Sequence, residues 1–226
     1  MINLDLHVHS CFSFDCLTRP EQAIWQAKRK GLNGVAITDH ETVQGGLAIA
    51  TLNQDPDFLV IVGAEFATRI GDIIGLFLHE EITTREPLEL IDEIHRQGGV
   101  AVLPHPYHGH ELTPTIMERI DVVEAFNARE RPSNNQRALA LAKKWRKPIV
   151  SGSDAHFSRD IGTSRTIFST TAIRSELLSH QCQYTTGYTP RYRMSASQIV
   201  KAVKLRRYYR IPYEVTRLVK RLAVGR

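Results

Sequence analysis

The stretch Asn3-Leu4-Asp5-Leu6-His7-Val8-His9 places two histidines at the end of a short apolar run, and the same pattern returns along the chain. Short runs rich in Val, Ile and Leu are typical of buried β-strands. His7 and His9 are two residues apart, so on a strand both imidazoles point to the same side. The stretch therefore predicts a strand whose end carries a pair of metal-binding side chains.

Further apolar runs end in the same types of residue. They lead into His40, into Glu65, into His105, and into the pair Asp154 and His156. In a parallel α/β barrel the strand ends gather on one face, and that face holds the active site. Imidazoles and carboxylates together are suitable ligands for Zn, Mn or Fe. We therefore expect these side chains to meet at one site that holds more than one metal ion.

Strand-like and helix-like segments alternate along the chain, whereas residues 171–194 have no readable periodicity. Apolar spacing and Pro or Gly boundaries predict helices over residues 20–30, 45–53, 87–97, 133–145 and 195–207. Candidate strands lie near residues 3–7, 34–39, 59–65, 73–78, 100–104, 121–126 and 148–153. Seven strands with crossover helices favour an α/β barrel over a β-sandwich.

The bulk composition is that of an ordinary globular protein. The 226 residues are 42% hydrophobic and 23% charged, and their number suits one domain with a sizeable core. No window approaches the roughly 18 consecutive apolar residues that a membrane span needs, and the first five residues do not resemble a signal peptide. Three cysteines without a framework spacing fit a reducing compartment. We expect a cytoplasmic protein.

The positive charge is concentrated at the C-terminus. Residues 189–226 contain eleven Lys or Arg and one acidic residue, Glu214, which gives +10 in a chain of net charge +5. Val215, Leu218, Val219 and Leu222 have helical spacing, which indicates a basic amphipathic helix docked on the barrel or on an anionic membrane. We expect residues 208–226 to form a basic tail that contacts nucleic acid or an anionic membrane and takes no part in the chemistry. The sequence gives no indication of the oligomeric state.

Four motifs in order carry a resemblance to a known family. They are Asp5-Leu6-His7-Val8-His9-Ser10, Ile37-Thr38-Asp39-His40-Glu41-Thr42, Pro104-His105-Pro106 and Ser153-Asp154-Ala155-His156. Together they resemble the PHP (polymerase and histidinol phosphatase) superfamily over about residues 1–170. The stretches 71–77 and 123–129 are similar to its stand-alone PHP-associated subgroup. The resemblance implies a distorted (β/α)7 TIM-like barrel over residues 1–207 and two to three divalent metal ions.

The resemblance also implies a set of ligands for each ion. His7, His9, Glu65 and Asp154 would hold the first ion. Glu65 would bridge to a second ion that also takes His105, while Asp15, His40 and His156 would hold the third. Several family members have a further His where this chain has Asp72. The second ion could therefore be completed by water, by Asp72 or by His79 at the other end of the same strand.

The implied activity is metal-dependent hydrolysis of a phosphate ester, with a small phosphorylated metabolite or nucleotide as the substrate. A water bridging two ions would lose a proton and attack the phosphorus. Glu65, His156 and Arg129 are the predicted catalytic residues, and Arg129 would grip the phosphate with two parallel hydrogen bonds. The alternatives are a nuclease or oligonucleotide phosphodiesterase, a PHP barrel kept as a non-catalytic interaction module, and amidohydrolase-like cleavage of a C–N bond.

Overall fold

The computed structural model describes residues 1–179 and 182–223, so the end of the predicted tail, residues 224–226, lies outside the described residues. Within the described chain, one sheet forms a nearly closed barrel with helices packed against it. The strands are β1 (Ile2–Val8), β2 (Gly34–His40), β3 (Leu59–Thr68), β4 (Gly71–Leu76), β5 (Val100–Leu103), β6 (Val122–Asn127), β7 (Ile149–Gly152), β8 (Arg165–Phe168) and β9 (Gln183–Thr185). The helices are α1 (Pro20–Arg29), α2 (Gln44–Leu52), α3 (Pro87–Arg96), α4 (Pro114–Arg119), α5 (Pro132–Trp145), α6 (Ile173–Leu177), α7 (Arg191–Lys204) and α8 (Ile211–Ala223).

The predicted α/β barrel is confirmed, and the seven predicted strands are β1 to β7. The spatial order of the strands is β7-β6-β5-β4-β3-β2-β1-β8-β9. The runs β1-β2-β3 and β5-β6-β7 are each parallel, as a barrel with crossover helices requires. Their C-terminal ends therefore meet on one face, as expected from the sequence.

Strand β4 runs against both of its neighbours. It follows β3 after a turn of two residues, which has no room for a crossover helix, so the two strands form an antiparallel hairpin. Gly71 opens β4 with a φ of 113°, a backbone conformation that glycine adopts readily. Because β4 is reversed, its first residues and not its last lie on the face where β1–β3 and β5–β7 end.

The barrel closes where β1 meets the chain that leaves β7. Val8 and Ala155 form an isolated parallel bridge, in which the His9 N–H donates to the Ala155 carbonyl at 3.0 Å. Beside it, the buried Asp5 carboxylate accepts hydrogen bonds from the backbone N–H groups of Ser153 (2.9 Å) and Gly162 (2.7 Å). Burial raises the pKa of Asp5 to about 6, although these hydrogen bonds favour its charged form. One side chain thus joins the first strand to the segments after the seventh.

Apolar side chains fill the space between the sheet and its helices. On α3, for example, Leu90, Ile91 and Ile94 are fully buried against the sheet. In the described part of the chain, none of the helices has the length and apolarity needed to span a lipid bilayer.

The C-terminal part folds back over the barrel as a pair of helices, α7 and α8. Helix α7 begins after Pro190, earlier than the predicted residue 195, and the unreadable segment 171–194 also holds α6 and β9. Lys204 at the end of α7 donates from Nζ to the carbonyls of Cys11 (2.7 Å) and Cys16 (3.2 Å), in the loop after β1. Helix α8 is joined to α7 by hydrogen bonds from Arg221. Both helices are therefore held close to the end of β1.

Candidate metal centre

The predicted ligands converge on one cavity of about 410 Å³ at the C-terminal face of the barrel. The lining of the cavity includes Asp15, His40, Glu65, Asp72, His105, Asp154 and His156. His7 and His9 are buried directly behind Glu65 and Asp154. Strand direction explains the convergence, because these residues lie at strand ends that share one face.

Four of these side chains form a cage at the end of β1. The Nε2 atoms of His7 and His9 are 3.2 Å apart. Their distances to Glu65 Oε2 are 3.6 and 3.5 Å, and their distances to Asp154 Oδ1 are 3.8 and 3.4 Å. A tetrahedral ion with ligand bonds of about 2.0–2.2 Å holds neighbouring ligand atoms about 3.3–3.6 Å apart. The five distances are close to this spacing, and the donor types are those of a site for a divalent transition metal.

The other oxygen of Glu65 belongs to a second group. Glu65 Oε1 lies 2.9 Å from His105 Nε2, and ligand atoms of Glu65, Asp72 and His105 lie within 4.8 Å of one another. The reversed direction of β4 brings Asp72 to this group. His79 lies at the opposite end of the barrel, where its backbone N–H donates to Gln97 Oε1 at 3.0 Å. Of the two candidates for the second ion, only Asp72 is at the site.

Asp15 organises a third group. Its Oδ2 atom lies 3.1 Å from His156 Nε2 and 3.4 Å from His40 Nε2. Within the described part of the chain, Asp15 Oδ1 and His105 Nδ1 are buried atoms without a hydrogen-bond partner. A buried polar atom that has no protein partner is costly unless water or an ion satisfies it. The three groups therefore fit a centre for more than one metal ion.

Opposite charges control the protonation of the centre. Burial disfavours the protonated form of His105, but the adjacent Glu65 carboxylate outweighs it and raises the pKa of His105 to about 9. Burial and Arg129 act against protonation of His156, yet Asp15 and Asp154 raise its pKa to about 9. Without metal, protons on these imidazoles balance the carboxylates. Bound divalent cations would balance the carboxylates in place of these protons, because an imidazole must be neutral to bind a metal.

Two buried acidic residues that sequence reasoning missed support the candidate ligands. Glu124 on β6 accepts through Oε1 from His7 Nδ1 (3.0 Å) and through Oε2 from the backbone N–H of His105 (2.9 Å). Asp39 accepts from the Ser13 hydroxyl at 2.6 Å, and Ser13 Oγ lies 3.1 Å from His9 Nδ1. Such outer partners fix the orientation of metal-binding histidines. The sequence contained one sign of the role of Glu124, which is a carboxylate inside an otherwise apolar strand.

Arg129 is at the centre, where its guanidinium contacts three side chains. Its Nη1 atom lies 3.3 Å from Asp154 Oδ1 and contacts His156, and its Nη2 donates to Ser197 Oγ of α7 at 3.0 Å. The guanidinium therefore ties the end of β6 to the end of β7 and to α7. Because it also lines the cavity, a bound anion could reach it.

Part of the predicted tail lines this cavity. Lys201 of α7 and Arg217 and Arg221 of α8 line the cavity on the side of these two helices. Arg217 pairs with the buried Glu214 at 3.1 Å, and Arg221 donates to Ser195 Oγ of α7 at 2.9 Å. The Arg221 hydrogen bond holds the polar face of α8 toward α7, and the sequence pattern alone did not reveal which face would dock.

Comparison with known proteins agrees with the motifs. Residues 5–151 match the family model described as PHP domain, and residues 132–180 match the one described as PHP-associated. Two uncharacterized proteins of Methanocaldococcus jannaschii are similar to the chain. One is 38% identical over 143 residues (56% of this chain, 82% of that protein), and the other is 33% identical over 180 residues (74% of this chain, 71% of that protein).

A solved structure shares the fold. It is a two-domain protein of Bacteroides vulgatus, described as containing a predicted PHP-like metal-dependent phosphoesterase, with a TM-score of 0.69 and 18% sequence identity. The match covers 82% of this chain and 65% of that protein. At this level of identity the similarity concerns the barrel and not the substrate.

Proposed function

Because the chain belongs to the PHP domain family, we propose that it is a metal-dependent phosphoesterase that hydrolyses a small phosphate ester, either a phosphorylated metabolite or a nucleotide. One observation carries the proposal: three groups of imidazole and carboxylate donors and a basic wall face the same cavity. A cavity of about 410 Å³ suits a small molecule.

The cage of His7, His9, Glu65 and Asp154 would hold one ion, with the Asp72 and Asp15 groups available for others. When bound, such ions lower the pKa of a water molecule and stabilise negative charge on phosphate oxygens. Glu65 lies between the groups, so it would separate two cations and partly neutralise both. The mixed nitrogen and oxygen donors suit Zn, Mn or Fe.

The basic wall is suited to a phosphate-bearing substrate. Arg129, Lys201, Arg217 and Arg221 line the cavity from β6, α7 and α8. Lys201 Nζ lies 4.4 Å from the ring centroid of Phe14, a cation–π contact that positions the ammonium group. Guanidinium and ammonium groups form strong charge-assisted hydrogen bonds with phosphate oxygens. We infer that this wall holds the substrate anion against the metal centre.

We infer that His108 would supply a proton to the leaving oxygen. It lines the cavity, and its Nδ1 atom lies 2.7 Å from Glu130 Oε1. That hydrogen bond raises the pKa of His108, so the ring keeps its proton at neutral pH more readily than a free histidine. Because Nδ1 faces Glu130, Nε2 is the nitrogen that would donate to the departing alkoxide.

A panel of phosphate esters with each metal added back tests the proposal. The protein is purified without chelator, stripped, and supplied with Mn, Zn or Fe before small phosphomonoesters, dinucleotides and oligonucleotides are offered. We expect turnover of a small ester that depends on metal. Replacing Arg217 and Arg221 by Ala should raise the KM for that ester by roughly 10–100-fold, the loss expected for charge-assisted hydrogen bonds to phosphate.

Arg69→Ala is the matched control, because Arg69 is exposed and pairs with Glu86 away from the cavity. Its KM should equal that of the wild type. A protein that binds metal but turns over no ester with any of the metals would refute the phosphoesterase and favour a non-catalytic barrel. Turnover confined to oligonucleotides would favour the nuclease.

A further inference from the structure

Helix α8 docks in the reverse of the usual orientation for a surface helix. A surface helix normally buries its apolar face and exposes its polar face. Here the inner face carries the buried Glu214 with the half-buried Arg217 and Arg221. Val215, Val219 and Leu222, which share one side of the helix because they are four and three residues apart, are 42%, 58% and 53% exposed. The described structure therefore leaves an apolar helix face in contact with solvent.

Cations and tyrosines surround this face. Residues 205–223 contain six Lys or Arg and a single acidic residue, the buried Glu214. Of the cations, Arg206, Arg207, Arg210 and Lys220 are exposed. The three tyrosines of the segment are also exposed, with values of 59% for Tyr208, 81% for Tyr209 and 63% for Tyr213. An apolar stripe with basic and aromatic neighbours is the composition of a helix that lies in a membrane interface.

We propose that α8 and the turn Tyr208–Arg210 dock the protein on an anionic phospholipid surface. Val215, Val219 and Leu222 enter the boundary between headgroups and acyl chains, the tyrosines sit at headgroup level, and the exposed cations meet lipid phosphates. This surface is distinct from the cavity, since the side chains that line the cavity lie on the opposite face of α8. The proposal goes beyond hydrolysis and does not depend on the identity of the substrate.

Two other partners could contact this surface, a second copy of the chain and a nucleic acid, but neither fits it as well as an anionic membrane. A second copy of the chain would bring two basic faces together, and their repulsion opposes a symmetric dimer through α8. A nucleic acid would satisfy the cations but would leave Val215, Val219 and Leu222 without an apolar partner. An anionic membrane satisfies both the charge and the apolar stripe.

The test is sedimentation of the full chain with vesicles of phosphatidylcholine alone and of phosphatidylcholine mixed with phosphatidylglycerol. We expect the protein to pellet with the anionic vesicles and to remain in solution with the neutral ones, with binding that weakens as salt is added. Replacing Arg206 and Arg210 together by Gln should weaken binding roughly 30-fold, since each cation contributes about a 5-fold factor at an anionic surface. Val215→Ser with Val219→Ser should weaken it by about tenfold or more.

Leu52→Ser is the control, because Leu52 is an exposed apolar residue on α2, away from α8. It should bind vesicles like the wild type, and circular dichroism together with metal content checks that every variant is folded. Failure of the wild-type protein to bind either vesicle overturns the proposal. So does unchanged binding by the double serine variant, binding to RNA but not to vesicles, or a dimer in light scattering that the double serine variant disrupts.

Discussion

Replacing Glu65 by Gln should damage the metal centre more than any other single substitution. The Glu65 carboxylate lies 2.9 Å from His105 Nε2, 3.2 Å from His40 Nδ1 and within 3.6 Å of both His7 and His9. It therefore contacts imidazoles from each of the three groups. Gln keeps one carbonyl oxygen for one ion, but its NH2 group cannot bind the other and its side chain has no charge.

The size of the effect follows from these two losses. Even outer partners of a metal ligand contribute about 10–100-fold to metal affinity, so losing a ligand atom should cost at least that much at one ion. Loss of the negative charge also weakens the binding of the neighbouring ion. We expect the metal content to fall by at least one ion per chain, and phosphoesterase activity to fall by about 100-fold or more, since activation of water depends on the metal.

Elemental analysis and single-substrate kinetics on the same preparation measure both effects. Glu176→Gln is a suitable control, because Glu176 on α6 is a buried carboxylate outside the cavity that accepts hydrogen bonds from Ser169 and Thr170. That variant can lose stability but should keep its metals and its turnover. A folded Glu65→Gln protein that retains full metal content and wild-type activity would show that the bridging assignment is mistaken.

Four further predictions concern the surroundings of the centre. Glu124→Gln should weaken metal binding about 10–100-fold in a dye-competition titration, because His7 loses the carboxylate that orients it. Since the pKa of His105 and of His156 is about 9 without metal, both hold protons at neutral pH, and affinity should rise by up to about 100-fold from pH 7 to pH 8. The same raised values stabilise the metal-free protein below about pH 6.5, so its Tm, but not that of the loaded protein, should fall as the pH rises through 9. Cutting the chain after Arg207 should raise the KM for a small ester, because α8 then no longer lines the cavity; an unchanged KM in a folded, metal-loaded fragment would contradict this.

The sequence was sufficient for the barrel and for the face of the barrel on which the candidate ligands lie. Strands buried on both faces appear as continuous apolar runs, so β1, β2 and β3 could be located with their terminal His and Glu residues. The direction of a strand leaves no trace in such a run. For that reason Asp72 and His79 stayed equal candidates until the hairpin of β3 and β4 showed which end of β4 faces the centre.

The C-terminal region was harder to predict because its periodicity is misleading. The apolar stripe of α8 favours the docking of that stripe on the barrel, yet much of the stripe is exposed and Arg221 donates hydrogen bonds to α7 instead. Polar contacts with α7 decide the orientation, and these depend on tertiary structure. Short elements such as β9 and α6 likewise have too few residues to show a period.

The seam of the barrel has a consequence for folding during synthesis. Strand β1, which carries His7, pairs with β8 and is joined through Asp5 to Ser153 and Gly162. Almost the whole barrel must therefore leave the ribosome before the first strand has all its neighbours. Contacts so distant in sequence close late and slow the folding of a chain. The nascent protein thus exposes His7 and His9 long before Asp154, which lies beside both in the folded protein, has been synthesised.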